Sequence, residues 1–222
     1  MLKEKFVTHS IHNENLLTIF VKETYKLFAA SLLAGGVGAY IGMSIVQTVV
    51  SHMWLFIIAE FSVLFATIFL KNKPGLNLIA LFGFTFLTGI TSAPLLSYAL
   101  AMPDGGSIIG NAFAMTALIM GVMSYIGVKS KVDMSMYSKA LFISLIVIVV
   151  FSLLNILLFH NSILSIVISG ATAILFSILT IYDTQNIVKG AYETPIEGAI
   201  ALYLDFLNIF LSLINLLLES KE

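Results

Sequence analysis

The sequence predicts an all-α polytopic membrane protein with seven transmembrane helices, and three observations support that reading. Of the 222 residues, 59% are hydrophobic and only 10% are charged. A water-soluble domain carries about a quarter charged residues, because its surface must face water. Seven apolar runs each reach the roughly 20 residues that a helix needs to cross a hydrocarbon core of about 30 Å. Lysines then collect in alternate loops, the pattern of a chain that crosses a membrane back and forth.

The first run, 25–46, follows a mixed-charge stretch with Glu4, Glu14 and Glu23. A cleavable signal would have a short basic start and an apolar centre instead. Residues 1–24 are therefore expected to remain as a cytoplasmic N-terminal segment ahead of a transmembrane domain over 25–222. Gly35, Gly38 and Gly42 on this run are expected to allow close helix approach. The second run, 53–70, begins beside His52 and Trp54 and ends at Lys71-Asn72-Lys73-Pro74-Gly75. The third, 76–100, contains Pro94, which should bend it and free a carbonyl that the bundle must satisfy. The fourth, 107–128, starts after Met102-Pro103-Asp104-Gly105-Gly106, and Gly106 and Gly110 are expected to form a second packing surface. The fifth, 139–159, is almost wholly apolar and is expected to face lipid. The sixth and seventh, 162–187 and 198–218, are joined by a short turn and must be antiparallel. Strands of a β-barrel would be half as long and would alternate polar with apolar residues, which these runs do not.

Lysine placement sets the orientation. Lys3, Lys5, Lys22 and Lys26 precede or open the first span. Lys71 and Lys73 follow the second, Lys129, Lys131 and Lys139 separate the fourth from the fifth, and Lys189 follows the sixth. All of these fall on one face, and Lys221 is the exception. The positive-inside rule makes that face cytoplasmic, with the C-terminus outside. A six-span chain with a re-entrant last segment is the alternative.

Several function classes are excluded. The basic residues are all lysines and the net charge is −1, which offers no concentrated basic face for nucleic acid. Without cysteine there is no disulfide, thiolate site or cysteine nucleophile. No glycine-rich phosphate loop follows a strand, and no Ser/His/Asp set converges, so no enzyme is expected. His9 and His12 share a helical spacing but lack a carboxylate cluster, which reads as a solvated terminus. A retinal-type opsin needs a lysine in its last span, and none is there.

Three carboxylates fall within or near the ends of apolar runs: Glu60, Asp183 and Asp205. An ionised Asp at the bilayer centre costs at least about 2.5–3.5 kcal/mol, so each must face the interior, find a partner or hold a proton. Asp205 begins a series with Asn208, Ser212, Asn215 and Glu219 whose spacing puts every member on one helical face. That stripe is either a hydrogen-bonded seam between helices or the lining of an ion path. Asp183 lies about 9 Å in from Lys189, and Asp205 about 12 Å in from Glu197. The two can therefore meet at one depth. Two such carboxylates cannot both stay ionised in a low dielectric, so they would share a proton and titrate as a unit. Calcium favours the same oxygens when the proton leaves, bound weakly because so few oxygens are present. Glu60, Thr67 and Lys71 share one face of the second span. There Glu60 is either a protonated core residue or part of a gate, and Lys71 can reach toward the surface or the aspartates.

With these residues in view, the chain resembles the bacterial branch of the Bax inhibitor family, the transmembrane Bax-inhibitor-motif proteins. The resemblance runs from Glu23-Thr24-Tyr25 to the C-terminus. It is most specific in Tyr182-Asp183-Thr184-Gln185 and in Ala201-Leu202-Tyr203-Leu204-Asp205-Phe206-Leu207-Asn208-Ile209-Phe210. Thr88-Gly89-Ile90-Thr91-Ser92-Ala93-Pro94-Leu95 and Lys131-Val132-Asp133-Met134-Ser135 also match. The resemblance implies a seven-helix bundle with its C-terminal helix central, in a bacterial inner membrane. It implies a pH-dependent calcium leak gated by an aspartate pair, here Asp183 and Asp205, with Glu60 as the family's glutamate on helix two. Where the family has an arginine near the end of that helix, this chain has Lys71, which keeps the charge but lacks the planar fork. Glu60, Lys71, Asn208, Ser212 and Asn215 are then the expected gating and pore-lining residues. No cofactor is expected beyond weakly bound calcium. Some bacterial relatives are linked to a membrane-bound ATP-dependent protease, so a membrane interaction protein using the segment before Tyr25 is the competing expectation.

Overall fold

A computed structural model describes residues 2–220, with side chains from Glu14 onward; the reading of His9 and His12 lies outside the described residues. Eight α-helices follow in order: α1 (Leu2–Ser44), α2 (Val46–Ser51), α3 (Met53–Leu70), α4 (Leu76–Ala101), α5 (Gly105–Lys129), α6 (Ser138–Leu154), α7 (Ser162–Val188) and α8 (Pro195–Glu219). Among the described residues, seven helical segments are long and apolar enough to cross a membrane. Each overlaps one of the predicted runs, although the first begins at Glu14 rather than 25 and the fifth at Met134 rather than 139.

Two boundaries differ in an instructive way. The break expected between the first two spans is largely helical, because α2 turns Val49 inward to full burial. Ile45 and His52, with φ near −120°, interrupt the helix on either side of it. The fifth span ends in a wide π-helical turn, Asn155–Phe159. Asn155 accounts for it: the Asn155 side chain accepts from the Asn161 N–H at 3.0 Å and donates to the Asn161 carbonyl at 3.2 Å. That reciprocal pair holds the chain reversal in an apolar setting.

Packing is organised around α4 and α8. Helix α4 lies along α1 and α3, while α8 packs against α1, α4, α5 and α7. Leu202, Phe206, Ile209, Leu213 and Ile214 of α8 join Leu96 of α4, Ala112 of α5 and Phe176 of α7 in the core. Helices α3 and α6 are peripheral, with Thr67 and Leu141 as their buried residues. In a bilayer their exposed apolar faces meet lipid at no cost.

The glycines divide into two groups. A Cβ at Gly38 would collide with the Phe86 carbonyl, and one at Gly89 with the Gly35 carbonyl. These residues bring the α1 and α4 backbones together, as the sequence predicts for Gly35, Gly38 and Gly42. Gly106 and Gly110 behave otherwise, since a Cβ at either meets nothing within 4 Å. The expectation that they form a packing surface is corrected. Gly110 lies on an exposed face of α5 and Gly106 borders an open apolar cavity, and small size alone does not say whether a helical residue meets another backbone.

Candidate functional site

Asp183 and Asp205 come together. Asp183 is 7% exposed and Asp205 2% exposed, on adjacent faces of α7 and α8. Their carboxyls are close enough to influence one another directly. The Tyr192 hydroxyl donates to Asp183 Oδ1 at 2.6 Å. Thr180, one turn before Asp183, approaches Asp205, but its proton goes to the Phe176 carbonyl at 2.9 Å. Asp205 Oδ2 is fully buried and has no hydrogen-bond partner. Ser31 Oγ shares that condition, but a neutral hydroxyl left unpaired costs far less than a carboxylate oxygen. One oxygen of the buried pair is therefore left without a donor.

The approach to this pair is built by the turn between α7 and α8. The α7 end closes as a Schellman motif: Gly190 takes φ 65°, its N–H bonds the Ile187 carbonyl, and the Ala191 N–H bonds the Asn186 carbonyl. The α8 start is a capping box in which Thr194 and Glu197 satisfy each other's backbone N–H groups, with Pro195 in the first turn. Tyr192 and Glu193 are left between these two fixed ends. Burial, with Asp183 next to it, pushes the Tyr192 phenol well above its ordinary range, so it stays protonated and remains a donor.

Lys71 does not reach the aspartates with its ion pairs. Its Nζ bridges Glu193 and Glu197, each at 2.8 Å. Those two carboxylates raise the Lys71 pKa, so it stays charged. Lys189 similarly pairs with Asp133 at 2.9 Å. Gln185 bonds the Val132 carbonyl and the Met134 N–H, tying the α5–α6 connection to α7. All of these contacts lie at the end of the bundle that carries the Lys71, Lys131 and Lys189 loops.

Glu60 belongs to a different cluster. It accepts from the Thr91 hydroxyl at 2.7 Å. Thr88 contacts the Tyr203 hydroxyl and donates to the Thr85 carbonyl at 2.7 Å, and Tyr203 donates to the same carbonyl at 3.0 Å. Tyr203 and Asp205 are two residues apart on α8, so they project to opposite sides. The remaining predicted residues are spread along α8. Asn208 spends its amide on the Leu204 carbonyl at 2.8 Å, Ser212 is buried, and Asn215 is partly buried. None of them lines the cavity of about 380 Å³ between α1, α4, α5 and α8, whose walls are almost entirely apolar. Among the described residues no three His, Asp or Glu side chains gather in a metal-binding group.

Tyr192, Thr91 and Tyr203 were not singled out by sequence reasoning. A signal for Tyr192 was present: Gly190 and Thr194-Pro195-Ile196-Glu197 spell a helix stop and a helix start that hold the residue between them in place.

A family model described as "Inhibitor of apoptosis-promoting Bax1" matches residues 17–222. A Campylobacter jejuni protein described as uncharacterised is 52% identical over 206 residues, covering 90% of this chain and 88% of the relative. A Helicobacter pylori protein is 46% identical over 215 residues, with 97% and 93% covered. A Vibrio cholerae protein described as an uncharacterised membrane protein is 30% identical over 201 residues, with 89% and 87% covered.

Proposed function

The chain belongs to the Bax inhibitor family, and from that premise and the paired acids we propose that it is a pH-regulated calcium (cation) leak channel. One observation supports the reading above others: Asp183 and Asp205 adjoin in the bundle interior, with Asp205 Oδ2 lacking any donor. Two neighbouring carboxylates away from water do not both stay ionised, so one proton is held between them and they titrate as a unit. Removing that proton leaves oxygen ligands that suit a divalent cation, and only a few of them, which keeps residence short. The pair is then sensor and cation site together, and calcium is cargo rather than a resident cofactor. Lys71 stands at the lysine-bearing end of that route, Asn208, Ser212 and Asn215 continue along α8 beyond the pair, Glu60 belongs to the separate cluster on the other side of α8, and no bond-making chemistry is involved. The protein sits in a bacterial inner membrane with the lysine-bearing end in the cytoplasm and the C-terminus outside.

The test is calcium flux into proteoliposomes across a pH series, for wild type and Asp205→Asn. Wild-type flux should change with pH, and the variant should lose that dependence because its amide cannot exchange the proton. An identical pH profile in both proteins would reject the aspartate gate. The competing reading, regulation of a membrane protease through the segment before Tyr25, predicts association that disappears when that segment is deleted.

A further inference from the structure

Resting on the aspartate-pair reading, we propose that Tyr192 is a lid over Asp183 on the lysine-bearing side, and that Lys71 is the latch that holds it shut. The two residues lie on different elements and reach the same six-residue turn. The Schellman motif at Gly190 and the capping box at Thr194 fix both ends of that turn. What lies between them is a pair of adjacent residues with opposite tasks. Tyr192 points inward, its hydroxyl on Asp183 and its ring against the core. Glu193 points outward to Lys71. Tyr192 and Glu193 are adjacent in the chain, so a pull on Glu193 is passed through one peptide link to Tyr192.

The latch joins two bodies. Lys71 caps α3, a peripheral helix packed chiefly on α4, whereas Glu193 belongs to the α7–α8 turn and Glu197 to the first turn of α8. Glu197 does two things at once. Its Oε1 holds Lys71, while its Oε2 accepts the Glu193 N–H at 2.8 Å and the Thr194 N–H at 3.3 Å. The same carboxylate that closes the helix start thus anchors the lysine. A displacement of α3 breaks the Lys71 bridges first, and the turn then keeps only its own backbone bonds and the single Tyr192 hydrogen bond. Lifting Tyr192 exposes Asp183 to water from the lysine-bearing end.

Accessibility, rather than flux, tests this. The full chain in proteoliposomes is treated with a membrane-impermeant carbodiimide and an amine from the lysine-bearing side. Amide formation at Asp183 is then read by peptide mass spectrometry. Asp133, exposed on the same side, serves as the internal control for orientation and folding. Wild-type Asp183 should be protected. Tyr192→Ala should label about tenfold faster or more, since losing a hydrogen bond to a charged group raises the open population by that order. Tyr192→Phe, which keeps the ring and removes the hydroxyl, should fall between them. Lys71→Met should raise labelling, and Lys71→Arg should restore protection, which a merely structural role for the lysine would not require. Equal Asp183 labelling in wild type and Tyr192→Ala, with Asp133 labelling unchanged, overturns the lid. Protection retained in Lys71→Met overturns the latch. Asp205→Asn with unaltered flux would remove the leak reading while leaving this result to stand on its own.

Discussion

Two polar clusters sit on opposite sides of α8, and they differ in one respect. Around Tyr203 the groups close on themselves: Thr91 donates to Glu60, and Thr88 and Tyr203 share the Thr85 carbonyl, which has two lone pairs to offer. Around Asp205 they do not close. Tyr192 serves Asp183, Thr180 serves a backbone carbonyl, and Asp205 Oδ2 is left over. A buried acceptor without a donor costs about 1–3 kcal/mol, more if charged. A bundle with many serines and threonines could supply that donor, and on the Glu60 side it does. The comparison teaches that one network spends its donors and acceptors on itself, whereas the other leaves a buried carboxylate oxygen over.

The sharpest way to break this contrast is Asp205→Asn. Beyond its effect on the pH profile, the amide supplies a permanent donor toward Asp183 and removes an ionisable group from the buried pair. Thermal unfolding in detergent should show a stabilised protein, by about 1–3 kcal/mol. A destabilised variant would mean that the site is complete as it stands. The next effect is on the closed side. Tyr203→Phe removes a hydroxyl bonded to both Thr88 and the Thr85 carbonyl, and should lower stability by about 1–2 kcal/mol, within the range for interhelical hydrogen bonds in membranes. Thr91→Ala, which strips Glu60 on the peripheral α3 of its α4 donor, should cost about 0.6–1 kcal/mol in the same assay and leave the flux pH profile in place. If Thr91→Ala shifted that profile, the two clusters would be one system.

The smallest effect is expected at Asp133. Its pairing with Lys189 and the Ser135 backbone holds its pKa at about 2, below the ordinary carboxylate value of 3.8. A depressed folded value means the pair's contribution is complete above the ordinary range and fades only as pH falls toward about 2. Asp133→Asn should therefore leave the flux pH profile near neutrality unchanged, which separates the surface ion pair from the buried acids.

Much of this architecture is legible in the sequence because lipid imposes a length rule that soluble folds lack. A run such as 76–100 or 162–187 has few alternatives once about 30 Å must be crossed. Counting rise per residue from Lys189 and Glu197 places the two aspartates at one depth, and the fold brings them together there. Lys71 is the contrary case. Its position at the end of α3 was clear, but its partners Glu193 and Glu197 are more than a hundred residues away, and nothing local distinguishes them from Asp183. Gly106 and Gly110 show the same limit: composition says small, and only the neighbouring helix says whether small means close packing. Tyr192 lay between two readable caps, yet its inward direction depends on how both caps fix one short turn.

The backbone contact of α1 with α4 has a mechanical consequence. Where Gly38 meets Phe86 and Gly89 meets Gly35, main chain rests on main chain with no side chain to compress or rotate out of the way. Sliding one of these helices past the other would force atoms through each other, so the two behave as a single stiff plate. Any opening of the bundle must then occur along seams that side chains fill, such as those around the peripheral α3. The glycines thereby decide which part of the molecule stands still.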